Sequence, residues 1–149
     1  MKAENTVDFQ IKSCWYAISR MYNTFAAQFD MSMAIGYVLL HIDKEGTPAT
    51  KIAPALGLEV RSLTRMLKNL EEKKWIRRET DASDKRVVKI FLTKVGIEKR
   101  KLAKNGVYLF NDLVNEKIHS DNLNIFFEVI QNINSIIEKD APLEVKKIK

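Results

Sequence analysis

Arg61, Arg65 and Lys68 recur at intervals of four and three residues, with Ser62 and Thr64 between them. Further on, Lys85 and Arg86 sit in the stretch DASDKRVVKIFLT, which turns midway from polar residues into an alternating apolar tract. These side chains are hydrogen-bond donors and cations, not nucleophiles. At helical spacing, guanidinium and ammonium groups can read the acceptor edge of guanine and bind phosphate oxygens, and hydroxyls can add phosphate contacts. Thr50 and Lys51, a little upstream, are further candidates for phosphate contact. The sequence has no glycine-rich phosphate loop, nucleophile motif or metal-spaced cluster, so neither an enzyme nor a cofactor or metal is expected.

The formal charge of +6 is unevenly placed. Residues 47–93 hold eleven Lys or Arg against six Asp or Glu, whereas the rest holds fourteen against thirteen. A basic third on an otherwise balanced chain points to an anionic partner, most simply nucleic acid. With 149 residues and 46% apolar content, one compact domain over 1–149 is expected. No apolar run approaches the roughly 18 residues of a membrane span, and the start MKAENTVDF lacks the blocks of a signal peptide, so a cytoplasmic protein is expected. The single cysteine, Cys14, cannot form an internal disulfide.

The elements that must carry these residues follow from periodicity. Ile11, Trp15, Ile18, Tyr22, Phe25 and Phe29, spaced by four, three, four, three and four, predict a helix over 6–29. Ser32 caps a second helix carrying Ile35, Val38, Leu39 and Ile42 and closing near Glu45 and Gly46. Thr47 and Pro48 read as N-cap and first residue of a short third helix ending near Leu56. After Gly57, the stripe Leu63, Met66, Leu67 and Leu70 predicts a fourth helix to about Lys73, so the pair forms a helix-turn-helix. Residues 75–80 and 86–92 read as strands joined by the loop 81–85. Thr93 caps a long helix towards Ile118. A last helix, from about Asp121 to Lys139, carries Leu123, Phe126, Phe127, Ile130, Ile133 and Ile137, and the tail 141–149 is expected to fray. The fold expected is mainly α with a small β-hairpin.

On the fourth helix the cations lie opposite the leucines, a face that suits the major groove. A guanidinium on a narrow hairpin can enter the minor groove next door, so the hairpin reads as a wing. Asp84 is expected to hold Arg86, or an arginine of the fourth helix, through a bidentate pair.

Asp84, Arg86, Leu92 and Thr93 match the D-x-R-x-x-x-x-x-L-T signature of the MarR family of transcriptional regulators, and TKIAPALGLEVRSLTRMLKNLEEKKWIRRE resembles that family's helix-turn-helix. The resemblance runs over roughly residues 6–139. It implies a winged helix-turn-helix lobe over 32–93, with dimerisation helices over 6–29 and 94–139 interlocking in a homodimer. It also implies a recognition helix over 59–73 in the major groove and Arg86 in the minor groove of double-stranded DNA, most often as a repressor on a pseudo-palindromic operator.

Three positions depart from the family pattern. Glu59 is a poor N-cap, Lys74 stands where glycine usually ends the recognition helix, and Pro54 inside the third helix predicts a kink.

Many relatives bind small amphipathic or phenolic effectors between the dimer helices and the DNA-binding lobe. Here Trp15, Tyr16, Tyr22, Tyr37 and His41 are the candidates for lining that crevice, against the plain reading that they are core. One branch of the family senses organic hydroperoxides through a cysteine near the start of the first helix. Cys14 is offset from that position by about half a helical turn and the branch's tandem tyrosine motif is missing, so a buried, inert thiol competes with a redox role. The other alternative is a winged-helix module that contacts proteins alone.

Overall fold

The computed structural model describes residues 2–140, with the side chain of Asp140 outside the description. The expected fraying of 141–149 therefore lies outside the described residues. Six α-helices and three strands follow in the order α1 (Val7–Ala27), α2 (Met33–Leu40), β1 (Thr47–Pro48), α3 (Ala49–Leu56), α4 (Val60–Glu72), β2 (Ile76–Thr80), β3 (Val88–Leu92), α5 (Lys94–Lys117) and α6 (Ser120–Asp140). A single 3-10 turn, Ala3–Asn5, precedes them. None of the described helices is long and apolar enough to cross a membrane.

The chain divides into two compact units, Met1–Tyr108 and Leu109–Lys149. The first holds the core. Val38, Leu39, Ile42, Ile52, Leu70 and Ile90 are its fully enclosed large side chains, and Leu63, Leu67, Trp75 and Ile76 close around them. Removing such side chains from water is the main term favouring this packing. In the second unit α6 leaves Ile125, Phe126, Phe127, Val129, Ile136 and Ile137 exposed, and the Phe126 and Phe127 rings lie 5.6 Å apart.

Ser32 caps α2 as expected, accepting a 3.2 Å hydrogen bond from the Ile35 N–H. The helix closes at Leu40, though, well before Glu45. The reason is Thr47. Its hydroxyl accepts from the Asp43 N–H at 2.9 Å and donates to the His41 carbonyl at 3.2 Å, so the chain folds back through Gly46, whose φ of +80° suits glycine. Thr47 is thus not the cap of α3. With Pro48 it forms β1, paired antiparallel to Ile90 and Lys89, and Pro48 takes the N-cap position. The predicted two-stranded hairpin is therefore a three-stranded sheet in the order β1-β3-β2. Proline is tolerated in an edge strand because its missing N–H leaves no ladder bond broken.

In the sheet, Ile76 faces Leu92 and Arg78 faces Ile90. The predicted alternation places Ile90 at zero exposure, while Phe91, on the other face, lies under the Arg77 guanidinium at 4.6 Å. Thr93 caps α5: its hydroxyl accepts from the Gly96 N–H at 3.1 Å and donates to the Lys74 carbonyl at 2.7 Å. Pro54 does not interrupt α3, which runs to Leu56. The carbonyl it leaves without a donor, four residues back, belongs to exposed Thr50, where water can replace the bond.

Candidate nucleic-acid interface

Gly57 ends α3 at φ 62° with nothing near its hydrogens, and the chain re-enters a helix at Val60. This tight left-handed turn sets α4 against α3, with Leu63, Leu67 and Leu70 buried and Met66 partly so. Because side chains three and four apart share a face, burial of that stripe forces the other face outward. Arg61, Ser62, Thr64, Arg65 and Lys68 are all exposed there. The Thr64 hydroxyl donates to the Val60 carbonyl at 2.9 Å and keeps its lone pairs for an incoming donor. Glu59 makes no side-chain cap, in line with the poor capping expected of it. Thr50 and Lys51, in the first turn of α3, are exposed as well.

The wing departs from expectation in its internal wiring. Asp84 accepts from the Arg86 N–H at 3.0 Å, but its side-chain contact with Arg86 is a single 3.8 Å approach and Arg86 remains 94% exposed. The expected bidentate clamp is therefore missing, because the short Asp84 side chain is spent on the turn backbone. The residue that orders the loop is Asp81. One of its oxygens accepts from the Ser83 N–H at 2.8 Å, the Ser83 hydroxyl at 2.5 Å and the Asp84 N–H at 3.1 Å, and the other meets Lys89 Nζ at 2.5 Å. Donors from Lys89 first, then Ser83 and the two amides, hold its carboxyl far below the usual aspartate range. Sequence reasoning missed this role; the signal was the Asp-x-Ser-Asp run, a common pattern for side-chain-closed turns.

Ion pairing separates two sets of cations. On the strands, Arg77 pairs with Glu79, Arg78 with Glu71 at 3.0 Å and Lys89 with Asp81. Among the described residues, no ion pair engages Arg61, Arg65, Lys68 or Lys85. Those four and Arg86 are the cations on the outer face of α4 and at the wing tip.

The aromatic candidates fall into two crevices of the first unit. Tyr22 and Tyr37 meet edge to face at 6.4 Å beside Phe25 and Met31, around a space of only about 30 Å³. Burial raises the pKa of both phenols, and for Tyr22 the neighbouring Tyr37 adds to the rise. Trp15, Tyr37 and His41 line a larger apolar crevice of about 290 Å³ with Ala55, Leu56 and Leu58 of the helix-turn-helix. Tyr16 lines neither; it is 64% exposed, with the Arg20 guanidinium 5.3 Å from its ring. Cys14 is exposed, contrary to the expectation of a buried thiol, because the whole of residues 7–17 of α1 is exposed, Ile11 and Trp15 of the seam included. Among the described residues no group of His, Cys, Asp or Glu forms a metal site.

The family model described as "MarR family" matches residues 38–88, which span the helix-turn-helix and most of the wing. The regulator SarZ of Staphylococcus aureus (strain USA300) is 28% identical over 133 residues, 87% of this chain and 85% of that protein. The regulator TtmR of Methylorubrum extorquens (strain PA1) is 34% identical over 89 residues, 59% of this chain and 46% of TtmR, so the match spans less than half of that relative. Among solved structures, the MepR–DNA complex of S. aureus superposes with a TM-score of 0.74 at 24% identity, covering 88% of this chain and 98% of that one, which is a likeness of fold. Both of these curated relatives are HTH-type transcriptional regulators. Family model, relatives and fold agree with the D-x-R wing and the cationic α4, and together they support a MarR-family winged-helix transcriptional regulator.

Proposed function

We propose that the protein is a homodimeric repressor that binds a pseudo-palindromic double-stranded operator in the cytoplasm. In this reading residues 32–93 form the DNA-binding lobe and α1, α5 and α6 supply the dimer contacts. Arg61, Ser62, Thr64, Arg65 and Lys68 enter the major groove, Lys85 and Arg86 enter the minor groove with Asp84 holding the turn, and Thr50 and Lys51 meet phosphates. The observation that carries it is the exposed row of Arg61, Arg65, Lys68 and Lys85, engaged by no ion pair among the described residues, beside Arg86 and set against the paired cations of the adjacent strands. Unpaired cations on a leucine-backed helix are what a polyanion needs, since each phosphate neutralised releases condensed counterions. The DNA-bound state of the structurally similar MepR adds support.

The dimer is supported by exposed Val7, Phe9, Ile11 and Trp15 on α1 and by the apolar residues of α6, more than a soluble monomer usually leaves in water. Two recognition helices would then face half-sites about 10 base pairs apart. The test is to incubate the purified protein with sheared genomic DNA and sequence what it retains. Enrichment of one inverted repeat, and a reporter silenced when that repeat overlaps its promoter, are expected; retention without sequence preference contradicts the reading.

A second element is release by a small aromatic or phenolic effector. The crevice between Trp15, Tyr37, His41 and the α3 residues supports it, because an apolar molecule seated there presses directly on the helix-turn-helix. Phenolic probes that raise the melting temperature and weaken DNA binding, with both effects lost in Tyr37→Ala, are expected.

A further inference from the structure

The far end of the recognition helix is gripped by side chains that DNA contact leaves unused. Lys73, immediately after α4, places Nζ 2.7 Å from Asp30 Oδ2 and 4.9 Å from the centre of the Trp75 ring. Lys99 of α5 places its own Nζ 4.6 Å from the same ring and donates to the Phe29 carbonyl at 2.6 Å. Phe29 and Asp30 form the corner between α1 and α2, with Asp30 in the left-handed region at φ 60°. Three segments far apart in sequence thus converge on one buried indole.

Stability alone explains this arrangement poorly. The Asp30 carboxylate is 76% exposed, and pairs in such positions contribute little. Two ammonium groups sharing one ring repel each other, and the left-handed backbone of Asp30, which aspartate tolerates better than most residues, still suits glycine best. What the group does accomplish is to fix the end of α4 against both the α1–α2 corner and α5. That corner adjoins the aromatic crevice, since Phe29 packs edge to face on Phe25 at 5.3 Å and Phe25 lines the space beside Tyr22 and Tyr37.

We propose that Asp30, Lys73 and Lys99, gathered on Trp75, are positioning residues for DNA binding that set the angle of the recognition helix without touching DNA. The inference rests on the DNA-binding reading above. Its signature is a sign. By charge alone, deleting a carboxylate from a DNA-binding protein tightens its grip on DNA, whereas losing a positioning contact loosens it. Asp30→Gly suits the left-handed backbone and removes the carboxylate; Lys99→Met keeps most of the side-chain stem and removes the cation.

Affinity is measured by fluorescence anisotropy on a genomic fragment retained by the unaltered protein, at several salt concentrations, alongside melting temperatures. Both variants are expected to bind about five- to tenfold more weakly, with melting within a few degrees of the unaltered protein and an unchanged slope of log affinity against log salt. Lys73→Arg, which keeps the pair with Asp30, should bind like the unaltered protein. Equal or tighter binding by Asp30→Gly, or a reduced salt slope in Lys99→Met, overturns the proposal, the latter by making Lys99 a phosphate contact. Should Asp30→Gly fail to fold, Lys99→Met decides by the same criteria. If the unaltered protein retains no DNA at all, the DNA-binding reading fails and takes this inference with it; if it binds and the variants match it, only the positioning role falls.

Discussion

Lys89 of β3 reaches across the wing to Asp81, Nζ to Oδ2 2.5 Å, tying the strand that returns from the tip to the residue that starts the loop. With the three donors from Ser83 and Asp84, this contact makes a rigid base from which Lys85 and Arg86 project. A pre-ordered loop loses less conformational entropy when its arginine enters a groove.

Asp81→Ala should therefore loosen the wing and leave the core alone. Faster amide exchange over 81–87 and weaker DNA binding are expected, with the melting temperature nearly unchanged. The pH dependence has a definite sign. A carboxyl held below its unfolded value contributes order that is present above the ordinary aspartate value near pH 4 and is lost only as pH falls through the depressed folded value. Wing amide shifts followed from pH 7 to pH 3 should show no opening centred near pH 4; a transition there contradicts the role of Lys89 and Ser83.

Lys74 leaves α4 with φ 57°, a left-handed conformation that side chains with a Cβ disfavour. Its N–H donates to Glu71 and the Trp75 N–H to Leu70, both at 2.9 Å, so the exit is a well-bonded helix end with the wrong residue in it. Lys74→Gly should raise the unfolding free energy by about 0.5–1 kcal/mol, the relief of strain less the entropy glycine gains when unfolded. Urea unfolding checks this, and a lower midpoint would contradict it.

Gly96 sits in the first turn of α5 where a Cβ would come within 1.9 Å of the Trp75 carbonyl oxygen. That oxygen cannot retreat freely, because it also accepts the Thr93 N–H at 3.0 Å and the Thr93 hydroxyl at 3.1 Å. Gly96→Ala is expected to destabilise the fold by about 3 kcal/mol. Full stability in thermal unfolding would mean that α5 does not approach β2 as described.

Most of this architecture was legible in residue patterns. The leucine stripe placed α4, Ser32 and Thr93 placed two helix starts, and Lys74 in place of glycine left either a strained left-handed residue or a different exit, of which φ 57° is the first. The failures have local causes. Thr47-Pro48 has the chemistry of a helix cap, but tertiary contact with Asp43 and His41 recruited the threonine hydroxyl and turned the pair into an edge strand. Asp84 matched a family signature and drew the role of clamp, while Asp81, three residues earlier, held the loop through bonds that only the folded turn creates. Seam spacing also cannot say whether a seam is covered within its own chain: residues 7–17 of α1 are all exposed, so Tyr16 and Cys14 are exposed along with the seam residues Ile11 and Trp15.

Phe126 and Phe127 are each more than half exposed on α6. If they bury against a second copy, sedimentation equilibrium at micromolar concentration gives twice the chain mass of 17.2 kDa. Phe127→Glu should shift that equilibrium to the monomer and weaken DNA binding in parallel. A monomeric mass for the unaltered protein contradicts the dimer.

The cationic face of α4 and the wing tip is tested most directly by the salt dependence of Arg86→Ala on the retained genomic fragment. Each wing arginine that meets the DNA adds about 0.9 to the slope of log affinity against log salt, so a dimer losing both should bind more weakly with a slope lower by about 2. Arg61→Ala or Arg65→Ala, where it removes a guanine contact, should cost about 1–3 kcal/mol and relax the sequence preference. Affinity, slope and preference that stay the same in all three variants would place DNA on some other face of the molecule.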